Sequence, residues 1–307
     1  MHWAAPRARP LGDRYHILEV VGRGGVSAVY RALDLRTNAS VAVKHLVSHA
    51  PAVCARFEHE ADLLARLRHP SIPESRGYFV EAGERLMVMR FVPGPDLGER
   101  LAYRGRPFGA RTVLEWANQL LEVLVHVHAH GIVHHDIKPR NIKLDADGRA
   151  VLLDFGLARE ITAAPHDGAM GYTASYSPPE QVLGAPTDPR SDLYALGATL
   201  YELFARRSPP DALQRIARRT DPMRPLDALN PAVPASVAAA VHTALQLDAD
   251  LRPPNARAMQ AAFLEATADC SRDTPDLTPS EQVPRRRGVS RTSTTIVRAP
   301  NSALAAA

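Results

Sequence analysis

Eight residues constrain this chain more than any other stretch: His134-His135-Asp136-Ile137-Lys138-Pro139-Arg140-Asn141. They carry an Asp, a Lys two positions on and an Asn five positions on. Those three side chains can face one small volume only from a non-helical loop. Pro139 supports a loop, because proline has no N–H and restricts the residue before it. The apolar run Gly131-Ile132-Val133 leads in, and Asp154-Phe155-Gly156 follows thirteen residues after Asn141.

A chain of 307 residues suits one two-lobed domain or two domains rather than one small core. Its hydrophobic content of 45% is ordinary for a globular protein. No apolar run approaches the roughly eighteen residues of a membrane span, and 1–10 lacks the apolar stretch of a secretory signal. Cys54 and Cys270 form no disulfide framework and suit a reducing cytosol. A net charge of +4 is met by a solvated surface and does not demand nucleic acid. The 37 basic residues include only three lysines, Lys44, Lys138 and Lys143. Arg and Lys are not interchangeable, so these three positions stand out in a chain that otherwise prefers Arg.

In chain order, Tyr15 to Val21 reads as a strand, followed by the cluster Gly22-Arg23-Gly24-Gly25-Val26-Ser27-Ala28-Val29. Alone, such a cluster is a hairpin turn. Val41-Ala42-Val43-Lys44 is a short β-type run. Residues 55–67 have helical periodicity, with Phe57, Ala61, Leu64 and Leu67 on one face and Pro70 as the stop. Arg85 to Val92 is a buried-strand run ending in Pro93-Gly94-Pro95, and residues 112–130 are a helix carrying His126, His128 and His130. That cluster invites a metal reading, but no Cys or carboxylate pattern completes a ligand set, so helix and loop histidines are the plainer account. Val151 to Leu153 is strand-like, 157–177 is a polar loop, and helices are predicted from Asp192 and over 256–266. From Thr267, Pro, Ser, Thr and Arg dominate, and a segment that cannot bury enough surface to offset its ordering entropy is predicted to be disordered.

The order H-x-D-x-K-x-x-N then D-F-G resembles the catalytic loop and metal-binding motif of protein kinases, and is most like the bacterial serine/threonine kinases of eukaryotic type. The resemblance covers about residues 15–266. It implies an α+β, bilobal kinase fold: a small β-rich N-lobe over about 15–92 and a larger helical C-lobe over about 93–266, between a lead-in of 1–14 and a tail of 267–307. By the same resemblance, Val21, Gly22, Arg23, Gly24, Gly25, Val26, Ser27 and Val29 belong to the loop that covers the ATP phosphates, and Ala42 is a further ATP-binding residue. Lys44, paired with Glu60, fixes the α- and β-phosphates. Met89 is the gatekeeper, and the backbone of Arg90 and Val92 bonds adenine. Asp136 accepts the substrate hydroxyl hydrogen, Lys138 neutralises the γ-phosphoryl oxygens, and Asn141 and Asp154 hold Mg²⁺, with Mn²⁺ as the alternative ion. Thr173 contacts the catalytic loop, Pro178-Pro179-Glu180 resembles A-P-E, Arg252 pairs with Glu180, and Asp192 caps the catalytic-loop backbone.

Three positions depart from the family pattern. Ser27 stands at the third glycine of the phosphate loop. His135 replaces the Arg that docks an activation-loop phosphate in most regulated kinases. Lys143 stands where an apolar residue usually lies under adenine. The implied activity is transfer of the ATP γ-phosphoryl group to Ser/Thr hydroxyls of proteins, including the chain itself, by a cytoplasmic monomer or weak dimer. A pseudokinase or nucleotide-binding scaffold, and a small-molecule kinase of related fold, are the alternatives. Arg285 to Thr295 sets hydroxyls beside a basic run, which fits either an autophosphorylated segment or a solvated linker.

Overall fold

The structure is a computed structural model that describes residues 11–161 and 172–270. Residues 271–307 of the tail, 1–10 of the lead-in and Thr162 lie outside these residues; 267–270, read from sequence as the start of a disordered tail, instead continue the closing helix to Cys270. Strands β1 (Tyr15–Arg23), β2 (Ser27–Asp34) and β3 (Ala39–Leu46) are followed by helix α1 (Pro51–Arg66), then β4 (Ser75–Glu81) and β5 (Glu84–Arg90). The five strands form one antiparallel sheet in the order β1-β2-β3-β5-β4. Alternation along β2 buries Ala28, Tyr30 and Ala32 on one face, where they meet Val41, Val43, Leu86 and Val88. α1 begins four residues before the periodic face, because Pro51 occupies its first turn, where a missing N–H costs nothing. It ends at Arg66, short of Pro70, and buries Phe57, Glu60, Ala61 and Leu64.

The second region is mainly helical. It holds α2 (Leu97–Arg104), α3 (Ala110–Ala129), the short strands β6 (Ile132–Val133), β7 (Ile142–Leu144), β8 (Ala150–Leu152) and β9 (Arg159–Glu160), then α4 (Pro179–Val182), α5 (Pro189–Ala205), α6 (Ala212–Ala217), α7 (Leu226–Leu229), α8 (Ala235–Ala244) and α9 (Ala256–Cys270). α2 starts with a capping box in which Asp96 accepts from the Glu99 N–H and Glu99 accepts from the Asp96 N–H. α5 is apolar nearly all round and accordingly central, with every residue from Ser191 to Tyr201 buried. A Cβ on Gly197 would meet the Ala244 Cβ at 2.9 Å, so glycine is what lets α5 and α8 pack this closely. None of the described helices is long and apolar enough to cross a membrane.

Asp192, in the first turn of α5, is completely buried. Its Oδ1 accepts the His135 N–H at 2.9 Å, and its Oδ2 accepts the His134 N–H at 2.9 Å and lies 2.8 Å from His128 Nε2. Burial pushes this carboxyl up, but the contact with His128 outweighs it and holds the group down to about 2, from an ordinary 3.8. An amide offers only one acceptor oxygen, so Asp192→Asn leaves a buried donor unmet; the expected loss is about 3 kcal/mol, measured by urea unfolding. Because the folded pKa is depressed, the carboxylate's stabilisation is complete above 3.8 and disappears as pH falls towards 2. Wild type should lose that increment over this window and Asp192→Asn should not. A loss below about 1 kcal/mol would remove Asp192 from this central role.

Candidate active site

The predicted roof of the cleft is the turn between β1 and β2, where the Gly24 N–H donates to the Ser27 carbonyl at 2.8 Å. Gly22, Gly24 and Gly25 all have ordinary negative-side backbone angles, and a Cβ on Gly25 would meet nothing within 4 Å. The fold itself therefore does not require glycine here; the open space suits close approach by something outside the chain. Ser27 is the first residue of β2, paired with Leu46, so the third glycine of the pattern is replaced without backbone strain.

Lys44 lies on β3 opposite Val29 and Met87. Its Nζ donates to Glu60 Oε1 at 2.6 Å, to Glu60 Oε2 at 2.8 Å and to Asp154 Oδ1 at 2.8 Å. Burial alone would lower the ammonium's pKa, but the two carboxylates hold it above the lysine range. In turn, the Lys44 charge pulls Asp154 down to about 2. The pairing read from sequence is formed, and it ties α1 to β3 and to the D-F-G segment. Asp154 has a left-handed backbone (φ 61°), while Phe155 is buried with its ring against His134.

At the back of the cleft, Met89 pairs with Ala42 across β5 and β3 and packs partly against the core. The Arg90 N–H is already used by the Glu74 carbonyl at 2.9 Å, which withdraws that donor from any base. The Val92 N–H has no hydrogen-bond partner among the described residues. Lys143, on β7, places its Nζ 3.4 Å from the Val92 carbonyl; burial lowers its pKa.

The catalytic loop is extended at Lys138 and then makes a single 3₁₀ turn over Pro139–Asn141. Lys138 Nζ donates to both oxygens of Asp136 at 2.8 Å and to Thr173 Oγ1 at 3.0 Å. Thr173 Oγ1 lies 2.8 Å from Asp136 Oδ1 and donates to it. Asn141 Nδ2 donates to Asp136 Oδ2 and to the Asp136 carbonyl, each at 2.8 Å. One carboxylate thus gathers an ammonium, a hydroxyl and an amide from loop positions 35 to 37 residues apart and from its own turn. Below it, Arg252 makes a two-pronged contact with Glu180 at 2.7 and 3.0 Å. Burial raises the Glu180 pKa, but Arg252 outweighs it and the net shift is downward.

The sequence does not reveal several partners. Gln181 Nε2 donates to the His135 carbonyl at 2.9 Å, and Ser191 Oγ donates to Glu180 at 2.7 Å. His128 reaches Asp192, and Tyr176 donates to Glu202. His135 is buried, with Nδ1 3.1 Å from the Leu157 carbonyl and Nε2 2.8 Å from Thr187 Oγ1. The carbonyl can only accept, so Nδ1 carries the proton and Nε2 accepts from Thr187. Burial lowers the pKa of this ring. His126 does share a helix face with His130, their ring centroids 4.4 Å apart, and His69 lies 5.4 Å from His126. Among the described residues, no three His, Cys, Asp or Glu are grouped to hold a metal ion.

The sequence matches the protein kinase domain over residues 15–264. It is 36% identical to a probable serine/threonine-protein kinase of Streptomyces coelicolor, covering 85% of this chain and 41% of that protein. It is 36% identical to the DNA damage-responsive serine/threonine-protein kinase RqkA of Deinococcus radiodurans, covering 84% and 40%. It is 32% identical to the serine/threonine-protein kinase PknB of Mycolicibacterium smegmatis, covering 89% and 46%. The matched region therefore spans less than half the length of these relatives. Among solved structures, the apo form of PpkA-294 superposes with a TM-score of 0.73 at 25% identity, over 85% of this chain and 99% of that one. A five-stranded sheet carrying Lys44, a helix returning Glu60 to it, a catalytic loop held by α5, and these matches over most of the chain identify it as a member of the protein kinase family, of the bacterial eukaryotic-like serine/threonine group.

Proposed function

We propose that this chain transfers the γ-phosphoryl group of ATP, bound with Mg²⁺, to Ser and Thr hydroxyls of proteins, its own among them. The observation that carries the reading is the state of the cleft: Lys44 is already on Glu60, while Asp136, Lys138, Asn141 and Thr173 already form one cluster. Phosphoryl transfer asks for positioning and charge neutralisation more than covalent chemistry. Lys44 serves the α- and β-phosphates and Glu60 keeps it in place.

All four hydrogen bonds at the Asp136 carboxylate come from donors within the cluster, two of them from Lys138. When Lys138 turns to the γ-phosphoryl oxygens, two of those bonds are released. Asp136 can then accept the hydroxyl hydrogen of the acceptor and orient its oxygen. Thr173 stays on Asp136 and sets the acceptor side of the loop.

The donor set fits a hard cation. Asn141 spends its amide nitrogen on Asp136, which leaves its oxygen out of that contact, and Asp154 spends Oδ1 on Lys44 with its side chain 47% exposed. Asn141 and Asp154 would hold such an ion, which would supply neutralisation of phosphate charge. The cytoplasm, where ATP and reduced thiols such as buried Cys54 coexist, suits this role, and we read the working form as a monomer or weak dimer.

His135 gives this reading a regulatory corollary. Its two ring nitrogens are engaged by Leu157 and Thr187, and the neutral ring has no donor left for a phosphate. Of the loop hydroxyls, Thr173 is on Asp136, Tyr176 is on Glu202 and Ser177 accepts the Thr173 N–H. Tyr172 and Ser175 remain, with Thr162 outside the described residues. Control then falls to another segment, such as the tail, or to a partner.

Three outcomes are expected. Asp136→Asn should bind nucleotide within a few-fold of wild type and lose about 10²-fold or more in transfer to a protein acceptor; near-normal turnover would take Asp136 out of the reaction. Lys44→Ala should be severely impaired, and Lys44→Arg should not recover, because a guanidinium fork cannot fit the space between Glu60 and Asp154 that holds one nitrogen at 2.6 to 2.8 Å from each. Full activity in Lys44→Arg would show that charge alone suffices. Phosphatase treatment, with Thr162→Ala and Ser175→Ala as controls, should change activity by less than about tenfold, or ~1.4 kcal/mol in the barrier. A larger drop on loss of a mapped loop phosphate would assign docking to another arginine, such as Arg159.

A further inference from the structure

The three lysines of the chain do not share one fate. Lys44 is paired with Glu60 and Asp154, and Lys138 with Asp136. Lys143 has no carboxylate within ion-pair distance among the described residues. Its one hydrogen bond is the long contact of 3.4 Å to the Val92 carbonyl. An ammonium carries three donors, and a half-buried one normally finds partners for them. Here two are unspent and the third is poorly spent.

Position gives this deficit a meaning. Backbone pairing of Lys143 with Asp96 holds β7 against the segment that leaves β5, and the ammonium lies on the carbonyl of the residue whose own N–H is unpartnered. Asp96 keeps one carboxylate oxygen on the Glu99 N–H; its charge and that of Glu99 act on the Lys143 ammonium, but neither carboxylate forms an ion pair with it. A cation, a free N–H and a half-buried setting therefore meet beside Val92, in the segment that the kinase resemblance assigns to adenine. An ammonium in such a setting is attracted to the face of an electron-rich ring and can donate to a ring nitrogen.

We propose that Lys143 is a nucleotide-positioning residue whose ammonium takes the purine base as the partner it lacks in the free protein. The inference rests on the kinase reading above and concerns a position where the family pattern is apolar. The charge, not the stem, is the active part, so Lys143→Arg should keep the function while Lys143→Met and Lys143→Gln should lose it.

The test uses the full chain without metal or acceptor, with adenosine, ADP and pyrophosphate as ligands, by calorimetry or ligand-observed NMR. Removing the charge should weaken adenosine and ADP by the same factor, about fivefold, equivalent to about 1 kcal/mol. Lys143→Arg should stay within about twofold of wild type, the level a purely steric role would not restore. Pyrophosphate, which has no base, should bind all four proteins alike. Melting temperatures identify any variant that fails to fold, and the second neutral variant then decides. Unchanged adenosine binding in the neutral variants overturns the inference. So does equal weakening in Lys143→Arg, or a matching loss for pyrophosphate. If wild type itself binds neither adenosine nor ADP, the kinase reading fails with it; if wild type binds and the variants do not differ, only the role of Lys143 fails.

Discussion

The buried carboxylate of Asp192 is the interaction on which the rest depends. His135 has a left-handed backbone (φ 65°), a conformation that costs a non-glycine residue of order 1 kcal/mol or more. Asp192 takes the N–H groups of His134 and His135, and Gln181 takes the His135 carbonyl. With those three backbone groups bonded, the strained turn is held, and the next residue is Asp136. α5 supplies the anchor because it is the most buried helix of the fold, locked against α8 through Gly197. Rigid packing far from the cleft is thereby converted into the placement of one carboxylate.

Charge in the cleft follows a second logic. Lys44 and Glu60 are largely buried and would be costly alone, since breaking a buried pair leaves an uncompensated charge, and Asp154 joins them from the exposed side. Their mutual contacts join β3, α1 and the D-F-G segment, so the ion pairs report whether the two regions are correctly assembled. Arg252 on Glu180 does the same for α4 and the loop before α9, with the Arg252 side chain fully buried. In both places the arrangement buys geometry more than stability.

The order of motifs made most of the fold readable. The alternation of β2, the helical face of Phe57, Ala61 and Leu64, and the all-round apolar character of α5 each reflect a local period that burial enforces. Helix ends were less legible: α1 and α3 begin two to four residues earlier than their apolar periods, because first turns are exposed and carry no hydrophobic signal. The identities of Lys44, Glu60, Asp136, Asn141 and Asp154 followed from spacing and residue type.

Their partnerships did not. Residue types and chain order determined a sheet, a helical region and a set of groups suited to phosphoryl transfer, since periodicity and motif spacing are properties of the chain itself. Tertiary structure decided that His128, and not His126 or His130, reaches Asp192, that His135 is clamped between Leu157 and Thr187, and that the Lys143 ammonium lies on the Val92 carbonyl. Each of those depends on contacts between residues 22 to 64 positions apart, and no local pattern encodes a hydrogen bond across that distance.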